Sequence, residues 1–369
     1  MITMEQQPKK LGFGLMRLPR KGLSIDVEQV KEMVDLFLAA GCTYFDTAYV
    51  YPGSEDAIHR ALVERHPRDA YTLATKLYAG MMPTEKTAKQ ELSTSLKRTG
   101  AGYIDYYLLH SLMRGNWKLY EKYHLWDFVQ EQKAAGTIRH YGFSFHDGPE
   151  LLDEILTLHP DAEFVQLQIN YVDWENPSVT SRKNYEVARK HGKQIVIMEP
   201  VKGGKLAAPP KEVQSLMQSV APDRSYASWA IRFCASLEGV LTVLSGMSNL
   251  DQMRDNLSYM TDFVPLNEAE QRIIHEAQRI MGLSNTIPCT ACRYCTEGCP
   301  QQIAIPEVFS AANLALGSGR VLEARAAYEA LPEEARASAC IGCRACEQVC
   351  PQHIPISDNM QKIRGMFEN

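Results

Sequence analysis

Short apolar runs rich in β-branched and aromatic residues alternate, over the first 283 residues, with amphipathic stretches of helical period. The runs predict strands at Gly12–Arg17, Tyr44–Thr47, Tyr71–Lys76, Ile104–His110, Ile138–Ser144, Phe164–Asn170, Gln194–Met198 and Val240–Leu244. Helical spacing predicts Glu28–Ala40, Ser54–Glu64, Glu85–Lys97, Asp127–Ala135 and Pro177–Lys190 between them. Gly41, Gly100, Gly136 and Gly192 fall where helix C-caps belong. Eight alternations of this kind predict an α/β fold with a parallel sheet closed as a (β/α)8 TIM barrel. An open doubly wound sheet is the competing arrangement, but no G-x-G-x-x-G follows the first strand. The barrel is the better account.

A barrel needs roughly 250 residues, and the chain has 369. The remainder forms a second expected domain, 284–369, beside a barrel domain of 1–283. With 45% hydrophobic and 22% charged residues the composition is that of an ordinary globular protein. The formal net charge of −5 offers no basic excess to neutralise phosphates, which argues against nucleic acid. No window approaches the ~18 consecutive apolar residues of a membrane span. The N-terminal MITMEQQPKK lacks the apolar stretch of a secretory signal. The expected location is the cytoplasm.

Ten cysteines are distributed very unevenly. Cys42 and Cys234 stand alone in the barrel segment and are expected to be small buried hydrophobes. The other eight form two runs, C-T-A-C-R-Y-C-T-E-G-C-P from Cys289 and C-I-G-C-R-A-C-E-Q-V-C-P from Cys340. Both are C-x2-C-x2-C-x3-C-P, the pattern of bacterial-type [4Fe–4S] ligation. Disulfides would need an oxidising compartment. Zinc suits any C-x2-C pair and closes with four ligands, but it gives the successive C-x2 steps of each run no particular role. Iron–sulfur is the leading reading and zinc a distant second.

The runs resemble those of two-cluster ferredoxins, in which the fourth cysteine of each run ligates the other cluster. That resemblance implies one cluster on Cys289, Cys292, Cys295 and Cys350, and a second on Cys340, Cys343, Cys346 and Cys299. The long stretch between the runs contains helical patterns at Pro306–Ala315 and Val321–Ala330. The domain is therefore expected to be an α-helical ferredoxin-like unit.

Barrel chemistry sits at the C-terminal ends of strands. Those ends carry F-D-T-A-Y-V-Y with Asp46 and Tyr51, A-T-K with Lys76, and L-L-H with His110. Singly, each has a bland explanation, such as a buried Asp–Lys pair or a capping His. On three successive strands they make an acid–base set.

In that order and spacing, D-T-A-x-x-Y, T-K and L-L-H resemble the aldo-keto reductases over residues 1 to about 260. The resemblance implies reduction of a small-molecule carbonyl substrate, with hydride from NAD(P)H and a proton from Tyr51. A free phenol has a pKa near 10, so it needs a cation to give up its proton at pH 7. Lys76 would supply that cation, Asp46 would hold the lysine, and His110 would orient the carbonyl. Tyr49 would line the pocket. For the cofactor, the resemblance carries over to Ser144, Gln166, Ser245, Gly246, Ser248, Gln252 and Asn256. Phe145 replaces an Asn that often follows the serine, and Met198 replaces an aromatic that commonly stacks on nicotinamide. Gln252 stands where some members place an Arg for the 2′-phosphate, with Arg254 nearby. NADP(H) is favoured over NAD(H) on this resemblance.

The leading reading is thus a carbonyl reductase fused to two [4Fe–4S] clusters. The alternative is an iron–sulfur electron-transfer component, serving a flavin or a redox partner protein, whose barrel is a scaffold or docking platform. No flavin motif is visible. Trp117, in the segment after His110, is a candidate wall of the pocket, with an ordinary surface loop as the equal alternative.

Overall fold

The computed structural model describes residues 9–282 and 286–368. The boundary expected at 283–284, and the first eight residues, used above against a secretory signal, lie outside the described residues. Eight parallel strands close a barrel: β1 (Leu11–Gly14), β2 (Tyr44–Asp46), β3 (Thr72–Leu77), β4 (Ile104–Leu112), β5 (Ile138–Phe145), β6 (Phe164–Gln168), β7 (Gln194–Met198) and β8 (Val240–Ser245). They pair in chain order, and β1 closes on β8 with Leu11 opposite Val243. The expected α/β barrel is the observed one.

Differences from the predicted elements have local causes. The first strand stops at Gly14, and Leu15–Arg17 form a 3-10 turn that carries Arg17 to the barrel mouth. The helix predicted from Pro177 begins at Ser181. Asn176 Oδ1 accepts the Ser178 and Val179 N–H groups, an Asx turn that competes with helix. The Ser54 helix gives way after Ile58 to a π turn over His59–Val63.

Inside the barrel, β2, β3, β4, β6, β7 and β8 contribute Tyr44, Ala74, Leu108, Phe164, Val196 and Leu244 to one apolar cluster. This is the layered side-chain filling of a TIM barrel. Gly142 of β5 and Gly12 of β1 leave room for it. A Cβ on Gly142 would stand 2.2 Å from the Phe164 carbonyl oxygen, and one on Gly12 would stand 2.8 Å from Leu244. Cys42 and Cys234 are buried, as expected.

The C-terminal segment is helical, with Ile305–Ser318, Val321–Glu329 and Ile356–Phe367 as its longer elements. Ile303, Val308, Phe309, Tyr328, Ile354, Met360 and Ile363 belong to a core separate from the barrel's. The segment covers the C-terminal mouth of the barrel, where Thr290, Cys292, Tyr294 and Gln352 share a cavity with strand-end residues. Among the described residues, no helix is long and apolar enough to cross a membrane.

Because the Phe164 carbonyl belongs to backbone and cannot swing aside, Gly142→Ala is expected to destabilise the barrel by about 1–3 kcal/mol. Thermal melting of the two proteins side by side checks this; an unchanged melting temperature contradicts the close approach.

Candidate active site

Asp46 ends β2, Lys76 lies near the end of β3 and His110 near the end of β4, so three neighbouring strands deliver their side chains to one end. Lys76 Nζ donates to Asp46 Oδ1 at 2.5 Å and to the Thr47 carbonyl at 2.7 Å. Both ionic side chains are buried. Burial pulls the Lys76 ammonium below its ordinary pKa, with Asp46 opposing that shift.

Tyr51 lies in the loop after β2, half-buried, with Lys76 Nζ 5.2 Å from its ring centre. The His110 ring meets it edge-on at 5.9 Å. Burial first, then the neighbouring Tyr294 and Asp46, push the Tyr51 phenol well above its usual pKa. The hydroxyl is therefore protonated at neutral pH. Burial, with Lys76 and His146 nearby, holds His110 well below the ordinary imidazole value, so its ring is neutral. Tyr120 donates its hydroxyl to the His110 carbonyl.

Asp46, Tyr51 and His110 line a cavity of about 320 Å³, which continues past Gln166, Met198, Ser245, Gly246, Ser248, Gln252 and Asn256. Ser144 is buried behind this wall and accepts the Ser111 N–H at 2.6 Å. Gln252 Oε1 accepts the Ser248 N–H, and Asn249 Oδ1 accepts the Gln252 N–H at the start of the Leu250–Met260 helix. Ser245 donates to Asn256 Oδ1 at 2.6 Å.

Two other expectations fail. Tyr49 is off the cavity wall because its ring stacks on the Arg98 guanidinium at 4.6 Å. Trp117 is buried in the barrel's core on the Trp117–Lys122 helix. Arg254 is exposed and paired with Asp251. Of the arginines and lysines, Arg17 is the one found on the cavity wall among the described residues.

Residues that sequence reasoning did not reach complete the site: Arg17, His146, Glu199, Thr290, Tyr294 and Gln352. Arg17 donates to the Thr290 carbonyl at 2.7 Å and stands 3.8 Å from Glu199. Gln352 donates to Gln168 Oε1 at 2.9 Å across the two domains. Buried atoms on this wall lack hydrogen-bond partners: Asp46 Oδ2, His110 Nδ1, Gln166 Oε1, Glu199 Oε2 and Gln352 Oε1. Buried polar atoms left this way are costly unless a ligand or water meets them. A strand-end position flags Asp46 and His110, but nothing in the sequence aims Tyr294 or Gln352 at the barrel.

In the helical domain, Cys289, Cys292, Cys295 and Cys350 line one narrow cavity. Cys299, Cys340, Cys343 and Cys346 line another. Among the described residues no three His, Cys, Asp or Glu side chains converge on a single ion. The thiols are instead divided between these two cavities.

The closed parallel barrel, with Asp, Lys and His at successive strand ends, is of the TIM-barrel class. More specifically, the chain belongs to the aldo/keto reductase family, which it matches over residues 10–279, and residues 288–355 match a 4Fe-4S dicluster domain. An aldo-keto reductase of Strobilurus tenacellus is 30% identical over 211 residues, covering 53% of this chain and 59% of that protein. One from Mycolicibacterium vanbaalenii is 29% identical over 231 residues, covering 62% of this chain and 77% of its own. In structure, the holo form of an aldo-keto reductase from Bacillus halodurans is similar, with a TM-score of 0.59 and 26% identity, over 73% of this chain and 91% of that one. An aldo-keto reductase of Klebsiella pneumoniae, solved in complex with NADPH, shares the fold at a TM-score of 0.59 and 17% identity, with the same coverage.

Lys76→Met should strand Asp46 as an unpaired buried charge and lower barrel stability by roughly 3–5 kcal/mol. Adding Asp46→Asn removes that charge and should restore much of the loss. Denaturant melts of both variants decide it, and equal losses in the single and double variants contradict a charged pair.

Proposed function

We propose that the protein reduces a small-molecule carbonyl to an alcohol with a nicotinamide cofactor, using Tyr51 as the proton donor. The observation that carries this is that Asp46, Tyr51 and His110 open onto a single cavity, with Lys76 buried against Asp46 and facing the Tyr51 ring. The remaining wall fits the cofactor's polar demands. Gln166 Oε1 is buried and unpaired, as an acceptor for a carboxamide N–H₂ must be before binding. Ser245, Gly246, Ser248, Gln252 and Asn256 would hold the phosphates near a helix start, with Ser144 behind the carboxamide. When bound, NAD(P)H supplies the hydride for the carbonyl carbon.

The chain's own work is acid catalysis and orientation. The Tyr51 proton moves from its phenolic oxygen to the carbonyl oxygen, leaving negative charge on Tyr51. The Lys76 ammonium, fixed by Asp46 and the Thr47 carbonyl, faces that charge. Neutral His110 offers an imidazole N–H to the same carbonyl oxygen and turns it toward the phenol. NADPH is the proposed donor, as in the complex solved for the Klebsiella relative. Because Gln252 is neutral and Arg254 is engaged with Asp251, the preference over NADH should be modest. Parallel kcat/KM measurements with the two cofactors test it.

The eight clustered cysteines are proposed to hold two [4Fe–4S] clusters in the interleaved sets implied by the ferredoxin resemblance. Two cavities, each lined by one such set, support this. A specific observation favours a second reading, electron transfer: Cys292 lies on both the first cluster cavity and the catalytic cavity. A redox partner protein would then take or give electrons one at a time. Hydride chemistry alone remains the preferred reading, because no flavin motif bridges two-electron and one-electron steps.

Tyr51→Phe removes a single hydroxyl, so the fold should persist while carbonyl reduction falls by roughly 10²–10⁴-fold. A parental rate with a confirmed carbonyl substrate contradicts the assignment and raises the scaffold reading. Anaerobically purified protein should contain about eight iron and eight sulfide per chain. In that sample NADPH should leave the cluster absorbance intact when no flavin bands are present; rapid bleaching favours electron transfer.

A further inference from the structure

Gln352 belongs to the iron–sulfur domain yet stands on the wall of the barrel's cavity, only 3% exposed. Its side-chain N–H₂ donates to Gln168 Oε1 at 2.9 Å. Gln168 ends β6 and lies on the same wall, two residues after Gln166 and so on the same side of the strand. Gln168 in turn donates to Asp173 Oδ2 at 3.0 Å, and Asn170 donates to that oxygen at 2.8 Å. Asp173 Oδ1 accepts from the Lys202 ammonium. All five side chains are buried.

Charge at one end of this series sets the direction of both glutamine amides. A carboxylate paired with an ammonium can only accept, so Gln168 turns its N–H₂ to Asp173 and its carbonyl away. That carbonyl requires the N–H₂ of Gln352, which leaves Gln352 Oε1 as the free end. This oxygen is buried and has no hydrogen-bond partner among the described residues. An amide carbonyl has no hydrogen to give, so it is met only by a ligand or water that donates one. The other cysteine run shows that burial of this glutamine is not a demand of the run itself. There C-P-Q recurs at Cys299, and Gln301, in the place of Gln352, is exposed.

We propose that Gln352 is a specificity-determining residue supplied by the iron–sulfur domain: its carbonyl accepts a hydroxyl hydrogen from the substrate, so hydroxylated carbonyl compounds are preferred to their deoxy counterparts. The inference rests on the carbonyl-reductase reading given above and narrows its substrate class. Among the described residues, Gln166 Oε1 is the other unpaired amide carbonyl on this wall, and in that reading the cofactor's carboxamide takes it. Gln352 Oε1 then remains for the substrate. A substrate hydroxyl satisfies this oxygen, whereas a deoxy analogue leaves it buried and bare, the costlier state. A ribose hydroxyl of the cofactor offers the same chemistry, and the KM for NADPH separates the two sources. In this arrangement the cysteine-rich domain has a role in carbonyl chemistry that requires no electron to leave the clusters.

The test uses full-length, cluster-loaded protein as parent, Gln352→Met and Tyr51→Phe, with glyceraldehyde and propanal as probes. These aldehydes share a carbon skeleton and differ in hydroxyls. The parent should favour glyceraldehyde in kcat/KM, and Gln352→Met should lower the glyceraldehyde-to-propanal ratio roughly 10- to 100-fold. Comparing ratios cancels the difference in intrinsic reactivity between the two carbonyls. The propanal kcat/KM, the KM for NADPH and the iron content of Gln352→Met should stay parental. An unchanged ratio overturns the proposal. Equal losses with both aldehydes, or loss of iron, also overturn it, since Gln352 then only holds the roof. A raised KM for NADPH with an unchanged ratio assigns the carbonyl to the cofactor instead. Should Gln352→Met fail to fold, the parent decides alone: reduction of neither aldehyde, or no preference for glyceraldehyde, overturns the proposal. If instead Tyr51→Phe keeps the parental rates, the carbonyl-reductase reading itself has failed. A dead Tyr51→Phe beside an unchanged ratio in Gln352→Met removes only the present inference.

Discussion

Gly203 and Thr290 approach so closely that a Cβ on Gly203 would lie 2.6 Å from the Thr290 carbonyl oxygen. Gly203 also has a φ of 64°, a conformation that favours a residue without a side chain. This contact seats the cysteine-rich domain on the loop after β7. Two flanking bonds point at backbone carbonyls of the same stretch: Arg17 to Thr290 at 2.7 Å and Lys205 to Ile287 at 3.0 Å. Backbone carbonyls cannot change rotamer, so the chain entering the first cysteine run has little freedom. Cys292 and Tyr294, only two and four residues beyond Thr290, are thereby committed to the barrel mouth.

The two domains keep separate apolar cores, and what joins them at the cavity is largely polar. That choice has an electrostatic consequence. Covering the mouth withdraws Tyr51, His110 and the Asp46–Lys76 pair from water, which favours neutral phenol and neutral imidazole. The same cover brings Thr290 and Gln352 to the wall, adding polar groups from a second domain. A cavity so lined suits a polar ligand better than an apolar one, since several of its buried acceptors have no partner within the protein.

Much was legible from local pattern. The alternation of apolar runs and amphipathic stretches specified eight strands, and the structure closes them in chain order. Asp46, Lys76 and His110 were legible because a barrel presents its strand ends at one mouth. The cysteine spacing marked the iron–sulfur domain because ligation by neighbouring thiols is a short-range requirement. Tyr49 and Trp117 were misplaced for the opposite reason. Which way a loop aromatic turns depends on partners distant in sequence, here Arg98 for Tyr49 and the barrel's core for Trp117.

By itself, then, the sequence determined the barrel, the Asp, Lys and His at its strand ends and the cysteine runs, all properties of period or spacing within a short stretch. Only the tertiary structure decided that the cysteine-rich domain roofs the barrel mouth, and that Cys292 and Tyr294 stand on the same cavity wall as Tyr51. Those facts depend on chain segments more than 200 residues apart reaching contact. The backbone fit of Gly203 against Thr290 and the bonds from Arg17 and Lys205 hold the cysteine-rich domain in place, and none of these leaves a periodic trace in the sequence.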